Sequence, residues 1–223
     1  MLLQNCILTY FPVTARGEAT RLALTIGSIV FQDQRIPFPE WGVLKPTTTW
    51  GSLPMLTLAD GTRLAQQKAI LRLVGRETGL YPLDDAILCT KIDELIDAAD
   101  EVGPKINAVG QGLPQKEKEV ARKVAVEKGG AVYDFLGKID AFIATNGSSD
   151  GHAVGKDLSI ADLFLYTATS TLVSGLYDGV PADALDGFVH IQACRKMVRS
   201  HPTVAKYYED SQVDLPASYD PIN

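Results

Sequence analysis

Apolar and polar residues alternate along the first third of the chain in a pattern that predicts a small mixed sheet with helices. Residues 5–11 and 29–36 alternate and are rich in strand-forming side chains, which predicts two β-strands. Between them, residues 16–26 place apolar side chains at helical spacing, and Gly27 is positioned to end that helix. A strand, helix and strand in this order indicate parallel strands joined by a right-handed crossover.

A hairpin and a second helix are predicted next. Residues 55–58 and 62–64 are expected to pair around an Asp-Gly turn, and residues 67–77 read as a helix. Prolines and glycines in residues 37–50 predict an irregular connection before the hairpin. The resulting order, β-α-β followed by β-β-α, is thioredoxin-like.

The remainder of the chain has a helical pattern almost throughout. Helices are predicted at residues 86–102, 115–144, 160–174 and 188–200, and residues 211–223 are expected to be extended. The fold class is therefore α+β followed by α, a thioredoxin-like N-terminal domain and then an all-helical C-terminal domain. We expect these domains to span residues 1–82 and 83–223.

Composition and charge exclude several classes of protein. The chain has 223 residues, 46% of them hydrophobic, and a formal net charge of −6 with no basic cluster, which argues against nucleic-acid binding. Its longest mostly apolar run, residues 22–31, is shorter than the about 20 residues that span a bilayer, so no membrane partner is expected. The N-terminus lacks a basic region of the signal-peptide type, and a cytoplasmic location is expected.

The cysteines and histidines give no active-site signal. Cys6, Cys89 and Cys194 are widely spaced and match neither a disulfide framework nor a metal site, which is typical of a reducing compartment. All three are expected to be buried and inert. A cysteine-based reaction would need a thiol near residues 10–16, where the sequence has none.

The segment from Gly51 to Gln67 predicts a binding site. Pro54 lacks a ladder donor, so it belongs at the first residue or edge of a strand. If the bond before it is cis, the backbone N–H and C=O of Leu53 point outward and can pair with an extended peptide. The free N–H groups at the start of the next helix, near Gln66, can hold an anion. A small anionic peptide that carries a thiol suits this combination.

Taken in order, these motifs resemble the cytosolic glutathione transferases of the tyrosine type, the alpha/mu/pi/sigma group, and among them most closely the sigma class. The resemblance covers nearly the whole chain. It is carried by Leu8-Thr9-Tyr10-Phe11 with Arg16, Glu18 and Arg21, by Trp41 and Lys45 four residues apart, by Gly51-Ser52-Leu53-Pro54, by Gln66-Gln67, and by the capping box Ser159-Ile160-Ala161-Asp162.

The resemblance implies a glutathione transferase that uses glutathione as a cosubstrate and has no metal or tightly bound cofactor. Tyr10 is then the catalytic tyrosine, whose hydroxyl donates to the glutathione sulfur, and Arg16 supports it. A free thiol has a pKa of about 8.5, and lowering it by two units needs about 2.7 kcal/mol. One hydrogen bond to a charged acceptor supplies about 1.5–3 kcal/mol, so one hydroxyl can do most of this.

The resemblance also implies the glutathione-binding residues. Leu53, held by Pro54, pairs its backbone with the cysteinyl part of glutathione. Trp41 and Lys45 contact the glycine end, with Lys45 facing the glycyl carboxylate.

The γ-glutamyl end is expected at the start of the second helix. Gln66 and Gln67 hold its carboxylate, and Asp100 from the partner subunit receives its ammonium group. The protein is then a homodimer. Trp50 is interpreted either as an interface key that inserts into the partner or as a core residue.

Some positions depart from the family pattern and leave alternatives open. Gln67 replaces a serine and Ala15 replaces a glycine near the active-site loop. A non-catalytic binding or structural protein of the same fold, or a glutathione-dependent isomerase or peroxidase, remains an alternative. The second substrate is expected to be a hydrophobic electrophile held by variable helical positions around Ile106 and Tyr207.

Overall fold

The computed structural model describes residues 2–211 and 216–219. Within them, the strands are β1 (Cys6–Tyr10), β2 (Phe31–Arg35), β3 (Met55–Thr57) and β4 (Arg63–Ala65). They form a four-stranded sheet in the order β2-β1-β3-β4, in which β1 runs parallel to β2 and antiparallel to β3. The predicted parallel pair and hairpin are both present.

Ten α-helices accompany the sheet in the described part of the chain. They are α1 (Ala15–Ile26), α2 (Trp41–Leu44), α3 (Gln67–Thr78), α4 (Ala86–Asp100), α5 (Val102–Ala108), α6 (Gln115–Val126), α7 (Ala131–Asn146), α8 (Ile160–Leu172), α9 (Val189–Ser200) and α10 (Pro202–Glu209). In this described part, no helix is long and apolar enough to cross a membrane.

Three predictions about these elements were wrong in detail. The single helix expected at 115–144 is divided into α6 and α7, because Gly129 has a left-handed backbone with φ of +87° that a helix cannot continue through. The helix expected at 86–102 ends at Asp100, and α5 follows it directly. The irregular connection at 37–50 contains α2 between two short 3₁₀ turns.

The C-terminal tail differs from the extended segment that was expected. Residues 212–215 and 220–223 lie outside the described residues, but Ala217–Tyr219 forms a 3₁₀ turn. The Tyr219 side chain is fully buried, and its hydroxyl lies 3.0 Å from Thr171 Oγ1 and 3.1 Å from the carbonyl oxygen of Thr167. This turn is therefore docked against α8, and the prediction was wrong there.

A continuous buried cluster joins the sheet to the helices. Helix α1 packs against α3, which follows the sheet, and also against α8 in the helical region. Helix α8 is buried along most of its length. The position of α1 is consequently fixed from both sides.

The predicted capping box at the start of α8 is confirmed. Asp162 is fully buried and accepts hydrogen bonds from the backbone N–H groups of Ser159 at 2.7 Å and Ala153 at 2.6 Å. The Ser159 hydroxyl donates to the same carboxylate at 2.9 Å. Burial raises the pKa of Asp162, and the three donors oppose that rise. The box fixes both the start of α8 and the loop before it.

Asp162→Ala is expected to lower the free energy of unfolding by about 3 kcal/mol, because it leaves two buried N–H groups without an acceptor. The matched control is Asp85→Ala, which removes an exposed cap that accepts from the Leu88 N–H at 2.9 Å on α4. That change is expected to cost about 0.5–1 kcal/mol. Urea unfolding at one fixed protein concentration measures both, and equal losses would contradict the role given to Asp162.

Candidate active site

Two adjoining cavities open between the sheet region and the helical region. The larger has a volume of about 330 Å³ and is lined by Tyr10 and Arg16 on one side and by residues of α5, α8 and the loop after α8 on the other. The smaller has a volume of about 150 Å³ and is lined by Leu53, Pro54, Gln66 and other residues at the start of α3. Both are lined by Arg16, Gln67 and Asp100, so the two spaces are neighbours.

Tyr10 lies at the end of β1 and is 6% exposed. Its hydroxyl oxygen accepts a hydrogen bond from the backbone N–H of Arg16 at 3.3 Å, which leaves the O–H proton free to be donated elsewhere. Burial raises the pKa of Tyr10, while the Arg16 N–H and the charges of Arg16 and Arg21 act in the opposite direction. The side chain therefore keeps its proton at neutral pH and acts as a donor.

Small residues make room for this tyrosine. A Cβ at Gly17 would lie 2.6 Å from Cδ1 of the Tyr10 ring, closer than packed atoms allow. Ala15, two residues earlier, has a φ of +40°, a backbone region that favours glycine. Alanine at position 15 therefore carries some cost in backbone strain.

Arg21 is hydrogen-bonded to the loop between β1 and α1. Its guanidinium is fully buried and pairs with Glu18 and Asp33, each at 3.0 Å. It also donates to the carbonyl oxygens of Val13 at 2.8 Å and Phe11 at 3.2 Å. The loop that connects Tyr10 to Arg16 is consequently tied to a buried charge.

The start of α3 forms a polar corner of the smaller cavity. Gln66 has a φ of +74° and precedes the first helical residue, Gln67. Lys68 contributes a positive charge and pairs with Asp97 at 2.8 Å and Asp100 at 3.0 Å. Asp100 thus lies beside the cavity of its own chain, and its expected role towards a partner subunit stays a prediction.

The two residues expected to contact the glycine end of glutathione, Trp41 and Lys45, differ in their burial. Trp41 is half-buried and packs edge-on against Phe11, with ring centroids 5.6 Å apart, in a small cluster that includes Tyr10 and Leu53. Lys45 is exposed and lines neither of the two cavities. The bond between Leu53 and Pro54 is cis, which is the isomer that the strand-edge hypothesis required.

The structure also shows how far Trp50 and the three cysteines are buried. Trp50 is 66% exposed, so it does not pack in the core of its own chain. Cys6 and Cys194 are buried as expected, but Cys89 is only half-buried, which corrects the prediction for that residue. Among the described residues, no group of acidic, histidine or cysteine side chains could hold a metal ion.

The walls of the larger cavity were predicted only in part. Ile106 is fully buried, while its neighbours Gly103, Pro104 and Asn107 line the cavity. Tyr207 is not in this wall, because it lies near Arg35 in a separate groove. No sequence pattern singled out Tyr177, which belongs to the loop after α8.

The chain is similar to known proteins along most of its length. A family model described as glutathione S-transferase, C-terminal domain, matches residues 107–211. Glutathione S-transferase 1 of Ascaris suum is 33% identical over 204 residues, which cover 90% of this chain and 93% of that protein. Hematopoietic prostaglandin D synthase of Gallus gallus is 27% identical, with 92% of this chain and 96% of that protein covered.

A solved structure agrees with the fold. Prostaglandin synthase D of Nilaparvata lugens superposes with a TM-score of 0.81 over 94% of this chain and 100% of that chain, at 24% identity. The two chains therefore share one fold, a small mixed sheet with helices followed by a helical region.

The chain belongs to the glutathione S-transferase family. The predicted fold class, a thioredoxin-like domain followed by an all-helical domain, is confirmed. The interpretation as a sigma-like glutathione transferase with transferase activity is confirmed as well. The roles of the individual site residues stay predictions.

Gly17→Ala is expected to lower conjugating activity by about tenfold or more, because the new methyl group displaces the Tyr10 ring and its hydroxyl. The control is Gly137→Ala on α7, where an added Cβ would meet only Phe188, at 3.9 Å. Steady-state assays and thermal unfolding of both variants make the comparison. A Gly17→Ala enzyme with unchanged turnover would contradict the spatial requirement proposed for Tyr10.

Proposed function

We propose that the smaller cavity binds glutathione, that Tyr10 keeps its sulfur as a thiolate, and that the larger cavity holds the electrophile. This proposal rests above all on the direction of one hydrogen bond. Because the Tyr10 oxygen accepts from the Arg16 N–H, its proton remains available to a sulfur atom in the adjoining space. The thiolate then attacks an electrophilic carbon, and the displaced electron pair stays on the electrophile or leaves with a leaving group.

The charges around the smaller cavity support glutathione as its occupant. The tripeptide carries two carboxylates and one ammonium group. Arg16, Lys68 and the N-terminus of α3, near Gln66 and Gln67, offer positive charge and free N–H donors to the γ-glutamyl carboxylate. Asp100 offers a carboxylate to the ammonium group, either in its own chain or, as the family resemblance implies, across a dimer.

The remaining contacts to glutathione follow the sequence-based expectation. Leu53, at the cis bond to Pro54, lines the smaller cavity, where its backbone can pair with the cysteinyl part. Trp41 is assigned to the glycine end from its position beside Phe11. Lys45 reaches the glycyl carboxylate only if its exposed side chain moves towards the cavity.

The catalytic scheme needs no metal or tightly bound cofactor, because the cosubstrate itself supplies the nucleophile. The electrophile is proposed to be largely hydrophobic, since Phe164, Ala168, Pro104 and Leu176 line the larger cavity. Conjugation of this kind serves detoxification, and we place the protein in the cytoplasm. The domain boundary is proposed between residues 82 and 83, after α3 and before α4.

Tyr10→Phe is expected to lower turnover by one to two orders of magnitude while glutathione binding is retained. Removing the hydroxyl raises the pKa of the bound thiol, so the pH–rate profile shifts to higher pH and activity partly recovers there. The control is Tyr133→Phe, whose ring packs on Phe188 outside both cavities. Turnover assays across pH with a chromogenic electrophile measure the effect, and a profile that does not move would overturn the tyrosine mechanism.

We also propose a homodimer in which the exposed Trp50 inserts into the partner subunit. Trp50→Ala is expected to shift the protein towards monomers at low micromolar concentration, because an interface loses an aromatic anchor. The control is Val120→Ala on α6, which removes another exposed apolar side chain, 63% accessible. Sedimentation velocity distinguishes the species, and equal behaviour of both variants would contradict an interface at Trp50.

A further inference from the structure

The short turn at Ala217–Tyr219 is bound to helix α9 by two buried arginines. The Arg195 guanidinium donates to the carbonyl oxygen of Ser218 at 3.1 Å. The Arg199 side chain donates through Nε to the carbonyl oxygen of Tyr219. Hydrogen bonds from a charged donor are stronger than those between neutral groups, so the backbone of this turn is firmly placed.

The side chain of Tyr219 is enclosed in the interior and has no exposed surface. The rings of Tyr166 on α8 and Tyr208 on α10 meet it edge-on, with centroids 5.6 Å and 5.9 Å away. The hydroxyl is the only polar group of this side chain, and a buried hydroxyl needs hydrogen-bond partners. Those partners lie on two different elements of the fold.

On one side the partners of the Tyr219 hydroxyl belong to α8. The O–H donates to the Thr167 carbonyl oxygen at 3.1 Å, and Thr171 Oγ1 lies 3.0 Å from the phenol oxygen. Thr167 and Thr171 are one turn apart, and both line the larger cavity. Threonine is a poorer helix former than alanine, and a third threonine, Thr169, lies between them. This end of α8 therefore gains stability from a hydrogen bond supplied from outside the helix.

On the other side the partner is Thr14, in the loop between β1 and α1. Thr14 occupies the N-cap position of α1, but within the described residues its side chain makes no cap hydrogen bond. Its hydroxyl bonds instead to the phenol of Tyr219, and this bond opposes the rise in the Tyr219 pKa that burial causes. A partner that lowers the pKa of a phenol donates to its oxygen. The next two residues, Ala15 and Arg16, line the larger cavity.

We propose that Tyr219 is a positioning residue whose hydroxyl connects the α8 wall of the larger cavity to the loop before Arg16, and so fixes the width of the space that holds the electrophile. The inference rests on the proposed function of the larger cavity. Tyr219 is not among the described residues that line this cavity, so it acts on the second substrate only through its hydrogen-bond partners. It also lies outside residues 107–211, to which the family model corresponds.

Loss of this hydroxyl leaves the buried Thr14 hydroxyl without its acceptor and lets the α8 wall move relative to the loop. A wall that yields holds a small electrophile less well in the attacking geometry and admits a large one more easily. The ratio of kcat/KM for a large electrophile to that for a small one therefore reports the width of the cavity. This ratio does not depend on the concentration of folded enzyme, so a merely structural loss leaves it unchanged.

The test compares 1-(chloromethyl)naphthalene with benzyl chloride, which share the reacting group and differ in size, at saturating glutathione. For Tyr219→Phe, we expect the ratio of kcat/KM for the naphthyl compound to that for the benzyl compound to rise on the order of threefold or more. KM for glutathione should not change, since the smaller cavity is untouched. The matched control is Tyr166→Phe, which removes a buried hydroxyl without a hydrogen-bond partner in the described part of the chain and should keep the ratio. A ratio that stays the same or falls in Tyr219→Phe would overturn the proposal.

Two further variants keep the outcome interpretable. Thr14→Val removes the hydroxyl at nearly constant shape and should shift the ratio in the same direction, even if Tyr219→Phe folds poorly. Tyr10→Phe should lower both reactions together, because both use the thiolate. If Tyr10→Phe has no effect, the proposed function fails and this inference fails with it. An effect of Tyr10→Phe with an unchanged ratio in Tyr219→Phe and Thr14→Val removes only the role of Tyr219.

Discussion

The geometry of the proposed site depends on one buried cation. Arg21 has no exposed surface, and its charge is balanced by Glu18 and Asp33. The same guanidinium binds the carbonyl oxygens of Phe11 and Val13, so its hydrogen bonds reach both the helix and the loop before it. Removing Arg21 would leave the buried Glu18 carboxylate without its cationic partner, which is far more costly than exchanging a surface pair. Burial raises the pKa of Glu18, and the pairing with Arg21 opposes that rise.

Helix α1 connects the loop that Arg21 binds to the elements that line both cavities. It begins at Ala15 directly after the clamped loop, and it packs against α3 on one side and α8 on the other. The smaller cavity lies at the start of α3, and Thr167 of α8 belongs to the wall of the larger one. Helix α1 therefore packs against one element that lines each of the two cavities. The Tyr219 hydroxyl donates a hydrogen bond to the Thr167 carbonyl oxygen and so stabilises this wall of the larger cavity.

The sequence predicted those features that have a local cause. Strand alternation, helical spacing and the Ser159–Asp162 box each arise from a few neighbouring residues, and these elements are present. The division of the long C-terminal helix at Gly129 was not predicted, because a helical pattern tolerates a glycine until its backbone turns left-handed. Tyr177 was not recognised either, because only the tertiary fold brings the loop after α8 opposite β1. The role of Lys45 stays a prediction, since the spacing of residues does not fix where a long exposed side chain points.

The direction of the pKa shift distinguishes the role of Tyr10 from that of a base. Burial raises the pKa of Tyr10, so the phenolate is scarcely populated and the proton stays in place at neutral pH. Proton removal from the thiol therefore does not require a phenolate; it requires a donor that binds the thiolate once formed.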